Sequence, residues 1–349
     1  MTKSDPLSPP LPPSISTSAS TPLSTPPPTS TTTITTPPFP KPTIIPPRGP
    51  HTHTLILLHG RGGNSLDFSS ALMTSPMEPP TSTNPDRSSL SQRFPGVKFV
   101  FPDARIGRST ASGKVMMPQW FDVVTLRPVY EREWELSRDG LRASVGYLME
   151  LVKEEGRILG GVGRVIVGGF SQGGVVALGA AVAFDAEADG GGEALGGCVA
   201  MSPWLPFQRD LIRLVGSEGE KDTGTAVVGE EEEEDKDRAP EPDPSLAVKA
   251  KTWFRENILG IPPPPVATDP QPQSQSSASP PKTPIWIAHG ALDEHVLPQF
   301  GEDAAKTLEA LGWNVTFMLY DDLSHWIMRD ELADLAIFLN VVAGVPDEE

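Results

Sequence analysis

Six short runs of consecutive apolar residues recur along the chain, at 54–58, 96–104, 163–170, 196–204, 283–290 and 314–322, each closed by glycine, proline or polar residues. A strand exposed on one face alternates apolar and polar side chains, so unbroken runs this short fit strands covered on both faces. Between them, "DGLRASVGYLMELVKEE" (139–155), the segment after Ser171, and residues 299–311 and 329–342 repeat apolar positions at helical spacing. This alternation predicts an α/β fold with a mostly parallel central sheet and helices on both faces. Such sheets bind their ligands beyond the carboxyl ends of the strands.

Two stretches interrupt the rhythm. Residues 73–93 are rich in Ser, Pro and Thr and read as an inserted loop. Residues 209–282 hold the acidic run "EEEEEDKD" and the tracts "IPPPP" and "SQSSASPP". Inside this second insertion, "SLAVKAKTWFRENIL" places Leu246, Ala250, Trp253, Phe254, Asn257 and Ile258 on one face of a possible helix. The insertion leaves from a strand's carboxyl end, so it either lies over a site there or forms a surface helix with flexible flanks. Residues 1–50 are mostly Pro, Ser and Thr, with too little apolar surface to offset the entropy of ordering. A disordered tail followed by one domain at 51–349, with low-complexity insertions, is therefore expected.

Composition sharpens this picture. The 349 residues include 40 prolines and 32 glycines, which put much of the chain outside any core. The formal net charge is −17, and residues 216–243 alone hold twelve acids against Lys221, Lys236 and Arg238, as a solvated tract does. No basic stripe is present, so nucleic acid is not an expected partner. Cys198 is the only cysteine, in the apolar context "GGCVAMS"; it excludes an intramolecular disulfide, reads as a buried structural thiol and fits a reducing compartment. The N-terminal residues have no apolar core of signal-peptide length, and no run reaches the roughly 18 apolar residues of a membrane span. A soluble, cytoplasmic protein with no stable membrane anchor is expected. A divergent organelle import signal is the alternative, because the tail is acid-poor and Ser/Thr-rich.

The stretch "VIVGGFSQGGVVALGAA" (165–181) joins a strand pattern to a helix pattern through glycines around one serine. A phosphate loop needs a lysine after its glycines, or G-x-G-x-x-G with an acid about twenty residues on, and neither spacing occurs. Gly169-Phe170-Ser171-Gln172-Gly173 is instead G-x-S-x-G between strand and helix, the setting of a serine nucleophile on a tight turn. Side chains at minus two and plus two would collide with neighbouring backbone, and the helix that follows offers free N–H groups to an oxyanion. A serine hydroxyl needs a base and an acid that orients the base, in the order Ser, Asp/Glu, His. Asp293 in "HGALDEHV" and His325 in "YDDLSHWI" each follow a predicted strand and complete that order. Glu294 is the alternative orienting acid. His59 and His289, each just before a glycine at a strand end, read as rings bonded to backbone, and Asp321 and Asp322 as solvated charges or a cap. His295 is too close to Asp293 in sequence to be oriented by it, and His51 and His53 lack the partner ligands a metal site needs. A second oxyanion donor is expected in "HGRGGN", where the Arg61 N–H would pair with that of Gln172. Both act through the main chain, so their side chains should be freer to vary than Ser171.

Together these residues resemble the acyl-protein thioesterase and carboxylesterase family of α/β-hydrolases. The resemblance runs from about residue 53 to 338 outside the insertions, with "LLHGRGG", "MPQWFD", "GGFSQGG", "SPWLPF" and "HGALDEHV" in family order. It implies cleavage of acyl esters and thioesters, including palmitoyl-cysteine on proteins, without metal or organic cofactor. It implies Ser171, Asp293 and His325 as the triad, Arg61 and Gln172 as oxyanion donors, and a place near the site for Trp120, Phe121 and Asp122, whose aromatics either contact substrate or belong to the core. The chain departs from the family's "HGLGD" by placing Arg61 and Gly63 there, and a cationic side chain beside the acyl entrance disfavours a long alkyl chain or attracts an anionic head. No cysteine precedes Cys198 to match the family's palmitoylated N-terminal one. Small soluble or short-chain esters and lysophospholipids are the alternative substrates. A non-catalytic binding protein using its acidic and proline-rich tracts is the alternative class.

Overall fold

The computed structural model describes residues 37–77, 89–125, 133–216, 243–262 and 282–347. Among them the six apolar runs become β2 (His53–Leu58), β3 (Val97–Phe101), β6 (Val165–Phe170), β7 (Gly197–Met201), β8 (Ile285–Gly290) and β9 (Val315–Tyr320). With β1 (Thr43–Ile45) they form a seven-stranded sheet ordered β1-β3-β2-β6-β7-β8-β9. Every pair is parallel except β1 with β3, where Ile44 sits opposite Val100. β2, β6, β7 and β8 are buried along their whole length, which is why they read as unbroken apolar runs.

The pleat divides these side chains between two cores. Ile56, Leu58, Val167, Ala200 and Ile287 pack under α3 (Glu133–Leu159), α4 (Gln172–Ala183), α7 (Pro244–Phe254) and α8 (Pro298–Ala310). Leu55, Leu57, Phe99, Val199 and Trp286 pack under α1 (Ser65–Thr74), α2 (Leu90–Arg93) and α9 (Arg329–Ile337). α5 (Ala186–Gly190) and α6 (Gln208–Gly216) complete the described α-helices.

Three features differ from the sequence reading. Residues 38–50, assigned to the tail, belong to the fold: β1 forms an edge, the Phe39 ring stacks on Tyr147 at 4.2 Å, and the Arg105 guanidinium lies 3.7 Å from the Phe39 ring centroid. A three-residue edge strand among prolines leaves no periodic trace. A two-stranded hairpin, β4 (Ile106–Ser109) with β5 (Val115–Pro118), stands apart from the main sheet, with Ile106, Val115 and Met116 exposed. The helix inside the second insertion is not a lid: it docks by the apolar face that the sequence marked, with Leu246, Ala250, Phe254 and Ile258 buried. α7 begins with Asp243 as N-cap and Pro244 in its first turn, and it buries Leu246, Ala247, Ala250 and Phe254 against α4 and α6. A β-carbon on Gly179 would come within 3.2 Å of the Phe254 ring, so glycine there admits the aromatic. Lys251 pairs with Asp185 at 2.7 Å, and Arg255 with Asp189 at 2.6 Å. Parallel strands β7 and β8 need a crossover, and α6 and α7 supply it. The acidic run, the proline tracts, residues 1–36 and most of the 73–93 loop lie outside the described residues.

Candidate active site

Ser171 sits between β6 and α4 with φ +53°, ψ −121°, a backbone region that side-chain-bearing residues rarely occupy. Its N–H donates to the Met201 carbonyl at 2.7 Å and its carbonyl accepts from the Val175 N–H at 3.1 Å, so the neighbouring strand β7 and the helix α4 hold the turn. The flanking glycines are required sterically. A β-carbon on Gly169 would lie 2.5 Å from the Gly173 carbonyl carbon, and one on Gly173 would meet the Leu58 carbonyl oxygen. Ser171 is thereby pushed out at the carboxyl end of the sheet.

The loops after β8 and β9 bring Asp293 and His325 to it. Asp293 is 2 % exposed. Its Oδ1 accepts the N–H groups of His295 and Val296, both at 2.9 Å, and its Oδ2 accepts from His325 Nδ1 at 2.7 Å. His325 Nε2 lies 3.1 Å from Ser171 Oγ, so the bond to Asp293 leaves Nε2 as the free acceptor facing the hydroxyl. Burial works against the charge on Asp293. Hydrogen bonding by His289 and His325, the charge of His325 and the Val296 N–H outweigh it and hold the carboxyl well below the usual carboxylate range. Glu294 is exposed, and so are Asp321 and Asp322. His59 Nδ1 bonds the Gly60 carbonyl while its Nε2 accepts the Ala104 N–H, and His289 Nε2 donates to the Val296 carbonyl. These rings are bonded to backbone, as their strand-end positions suggested. Among the described residues no group of three or more His, Cys, Asp or Glu could hold a metal ion.

Arg61 and Gln172 both border the cleft over Ser171. The Gln172 N–H is the first of α4 and has no intrahelical acceptor. Their side chains are not free to vary as the sequence reading supposed. Gln172 Oε1 accepts the Trp120 N–H at 2.9 Å and its Nε2 donates to the Phe121 carbonyl at 2.7 Å, a two-point clamp inside the core. Arg61 Nη1 donates to Ser109 Oγ at 2.8 Å and Ser112 Oγ at 2.9 Å and contacts Met117 Sδ at 3.1 Å, tying the loop to the β4–β5 hairpin.

Trp120 and Phe121, read as substrate contacts or as core, take the second place and are absent from the cleft lining. They are 2 % and 4 % exposed; the Trp120 indole N–H donates to the His59 carbonyl at 2.7 Å, and Phe121 packs edge-on against Trp204. The clamp from Gln172 draws this segment inward, which is the physical reason for the difference. Val123 and Thr125, just beyond it, reach the cleft instead. The cleft encloses about 400 Å³, and Phe170, Trp204, Val296 and Trp326 supply most of its apolar wall. The His295 ring stacks on His325 with centroids 5.2 Å apart, so its place at the rim was missed by considering only its sequence distance from Asp293. Trp204 lies in the quoted "SPWLPF", and Trp326 adjoins His325, which was the only sequence signal for either.

The parallel sheet, the serine turn after β6 and the acid and histidine loops after β8 and β9 define the α/β-hydrolase class. Comparison with known proteins agrees. A sequence model of the phospholipase/carboxylesterase family matches residues 40–215 and 266–343, and the chain belongs to that family. It is 27% identical over 320 residues to acyl-protein thioesterase 1 of Aspergillus fumigatus, covering 88% of this chain and 94% of that protein. Acyl-protein thioesterase 1 of Emericella nidulans is 27% identical over 305 residues, covering 86% and 95%. The crystal structure of Zea mays acyl-protein thioesterase 2 shares the fold, with a TM-score of 0.54 at 22% identity over 87% of this chain and 99% of that one.

Proposed function

We propose that the chain hydrolyses acyl thioesters and esters through an acyl-serine intermediate on Ser171, with long-chain acyl groups on protein cysteines as its substrates. As a member of this family it is a carboxylic ester and thioester hydrolase. His325 Nε2 takes the Ser171 proton as Oγ attacks the carbonyl carbon, and Asp293 keeps the ring in the productive tautomer. The Arg61 and Gln172 N–H groups receive the oxyanion. His325 returns the proton to the departing thiol or alcohol, and water, deprotonated by the same nitrogen, releases the acid. The relay of 2.7 Å and 3.1 Å from Asp293 through His325 to Ser171 carries this reading.

The similarity to proteins named acyl-protein thioesterase 1 supports the acylated-protein substrate. Among the described residues no helix is long and apolar enough to cross a membrane. Small soluble esters are the second reading, favoured by the cationic Arg61 in the cleft wall. Labelling with a fluorophosphonate that disappears in Ser171→Ala, followed by palmitoyl, butyryl and acetyl thioesters on the same preparation, tests both readings. Persistence of the label in that variant refutes the nucleophile, and a strong short-chain preference refutes the depalmitoylase.

A further inference from the structure

The proposed hydrolysis uses only the N–H of Arg61, yet this residue, which lines the cleft, also carries a guanidinium. The hairpin fixes that group through Nη1, which bonds Ser109 and Ser112 and touches Met117. Among the described residues the remaining donors, Nε and Nη2, meet no protein acceptor, and neither is a buried atom. Nε and Nη2 share one edge of the guanidinium, the two-donor fork whose spacing fits both oxygens of a carboxylate. The nearby acid does not take this edge. Asp122 accepts the N–H groups of Thr110 and Val123 and the Thr110 hydroxyl; its charge favours the Arg61 cation from a distance, without a hydrogen bond or ion pair between them. The described residues lining the cleft include no carboxylate; beside Arg61 they are His295, His325 and mainly apolar side chains. A cation held by the hairpin through Nη1, with no ion pair among the described residues, thus belongs to a residue lining the cleft over Ser171, in a chain of net charge −17.

We propose that Arg61 is a specificity-determining residue that selects esters and thioesters bearing a carboxylate, bound on its Nε–Nη2 edge while the scissile carbonyl lies at Ser171. The proposal rests on the hydrolase reading above and names its substrate class. The carboxylate belongs either to the far end of the acyl chain or to the thiol or alcohol that leaves.

Three thioesters assayed with the full chain separate these sources. They are a hexanoyl thioester of a neutral thiol, the adipoyl half-thioester of the same thiol, and the hexanoyl thioester of 3-mercaptopropionate. One of the two carboxylate substrates should exceed the neutral one in kcat/KM by roughly 10- to 100-fold, the scale of one charge-assisted hydrogen-bonded pair, and salt should reduce the ratio. In Arg61→Met the ratio, taken against the same variant's rate on the neutral thioester, should fall to about one; Arg61→Lys should restore only part, because a point charge lacks the fork. A wild-type ratio near one for both carboxylate substrates, with the neutral thioester turned over, overturns the substrate class and leaves the hydrolase intact. A ratio unchanged in Arg61→Met overturns the role of this residue. If that variant does not fold, the wild-type ratio and its salt dependence decide. Fluorophosphonate labelling of Ser171 without turnover of either carboxylate substrate also overturns the class, and absence of both labelling and turnover overturns the hydrolase reading itself.

Discussion

Replacing Gln172 with alanine separates the oxyanion role proposed for its N–H, which stays, from the clamp made by its side chain, which is lost. The side chain is 1 % exposed and spans the Trp120 N–H and the Phe121 carbonyl, at 2.9 and 2.7 Å. Removing it leaves two backbone groups unpaired beside residues that are almost fully buried. Each such group costs about 1–3 kcal/mol, so Gln172→Ala should lose roughly 2–6 kcal/mol, less if the segment shifts to find other partners. That shift would have a catalytic consequence. The Trp120 indole holds the His59 carbonyl, two residues before Arg61, so movement of residue 120 displaces the Arg61 N–H. The fall in kcat should stay below the roughly 10²- to 10³-fold expected for complete loss of one oxyanion donor. Urea unfolding at constant m-value gives the stability change, and steady-state thioester hydrolysis gives kcat. A variant within about 0.5 kcal/mol of wild type with unchanged kcat would refute the clamp, because no surface substitution would do less.

Four further outcomes follow from the same geometry. Ser171→Ala and His325→Ala should each lower kcat by on the order of 10⁶, and the double variant should lose little more, because the groups act as a unit. Gly173→Ala should prevent proper folding, since its β-carbon meets the Leu58 carbonyl, while Gly62→Ala, at φ +79° with open space around it, should cost only about 1–2 kcal/mol in thermal unfolding. Burial with no partner for Oε1 pushes the Glu331 carboxyl up to about 8, against the Met328 N–H that favours its ionised form. The unfolded chain releases this proton near its ordinary value of 4.5, so from there to about pH 8 this group makes stability fall with rising pH, by up to about 1.4 kcal/mol per unit. Glu331→Gln should remove that slope in unfolding curves measured from pH 5 to 8. Asp293 contributes oppositely: its folded value is depressed, so its stabilisation is present above the ordinary value of 3.8 and is lost as pH falls through the lower folded one, and Asp293→Asn should lack this acid-side loss.

What could be read directly from the chain follows from burial. β2, β6, β7 and β8 are covered on both faces, so selection for apolar side chains at every position left unbroken runs. The β4–β5 hairpin exposes Ile106, Val115 and Met116 and leans on no core, so neither period marks it. α1 was hidden because two of its four buried positions are serines, Ser65 and Ser69. The candidate triad was legible because steric and chemical demands restrict residue type at Gly169, Ser171, Gly173, Asp293 and His325. The cleft wall was not, since Trp120 and Phe121 pack inward and Val123 outward as a result of tertiary contacts such as the Gln172 clamp.

The docked helix α7 bears on how the chain reaches this state. About eighty residues separate β7 from β8, and loop closure costs only about 0.6 kcal/mol for each doubling of length. The final stability is thus little affected by the long connection, but β8 cannot find β7 until a distant stretch of chain has been gathered. α7, seated on α4 by Phe254 and tied to the α5 segment by Lys251 and the following Arg255, divides that search into two shorter ones. Loosening α7 should therefore slow the pairing that brings Asp293 into position more than it weakens the finished fold.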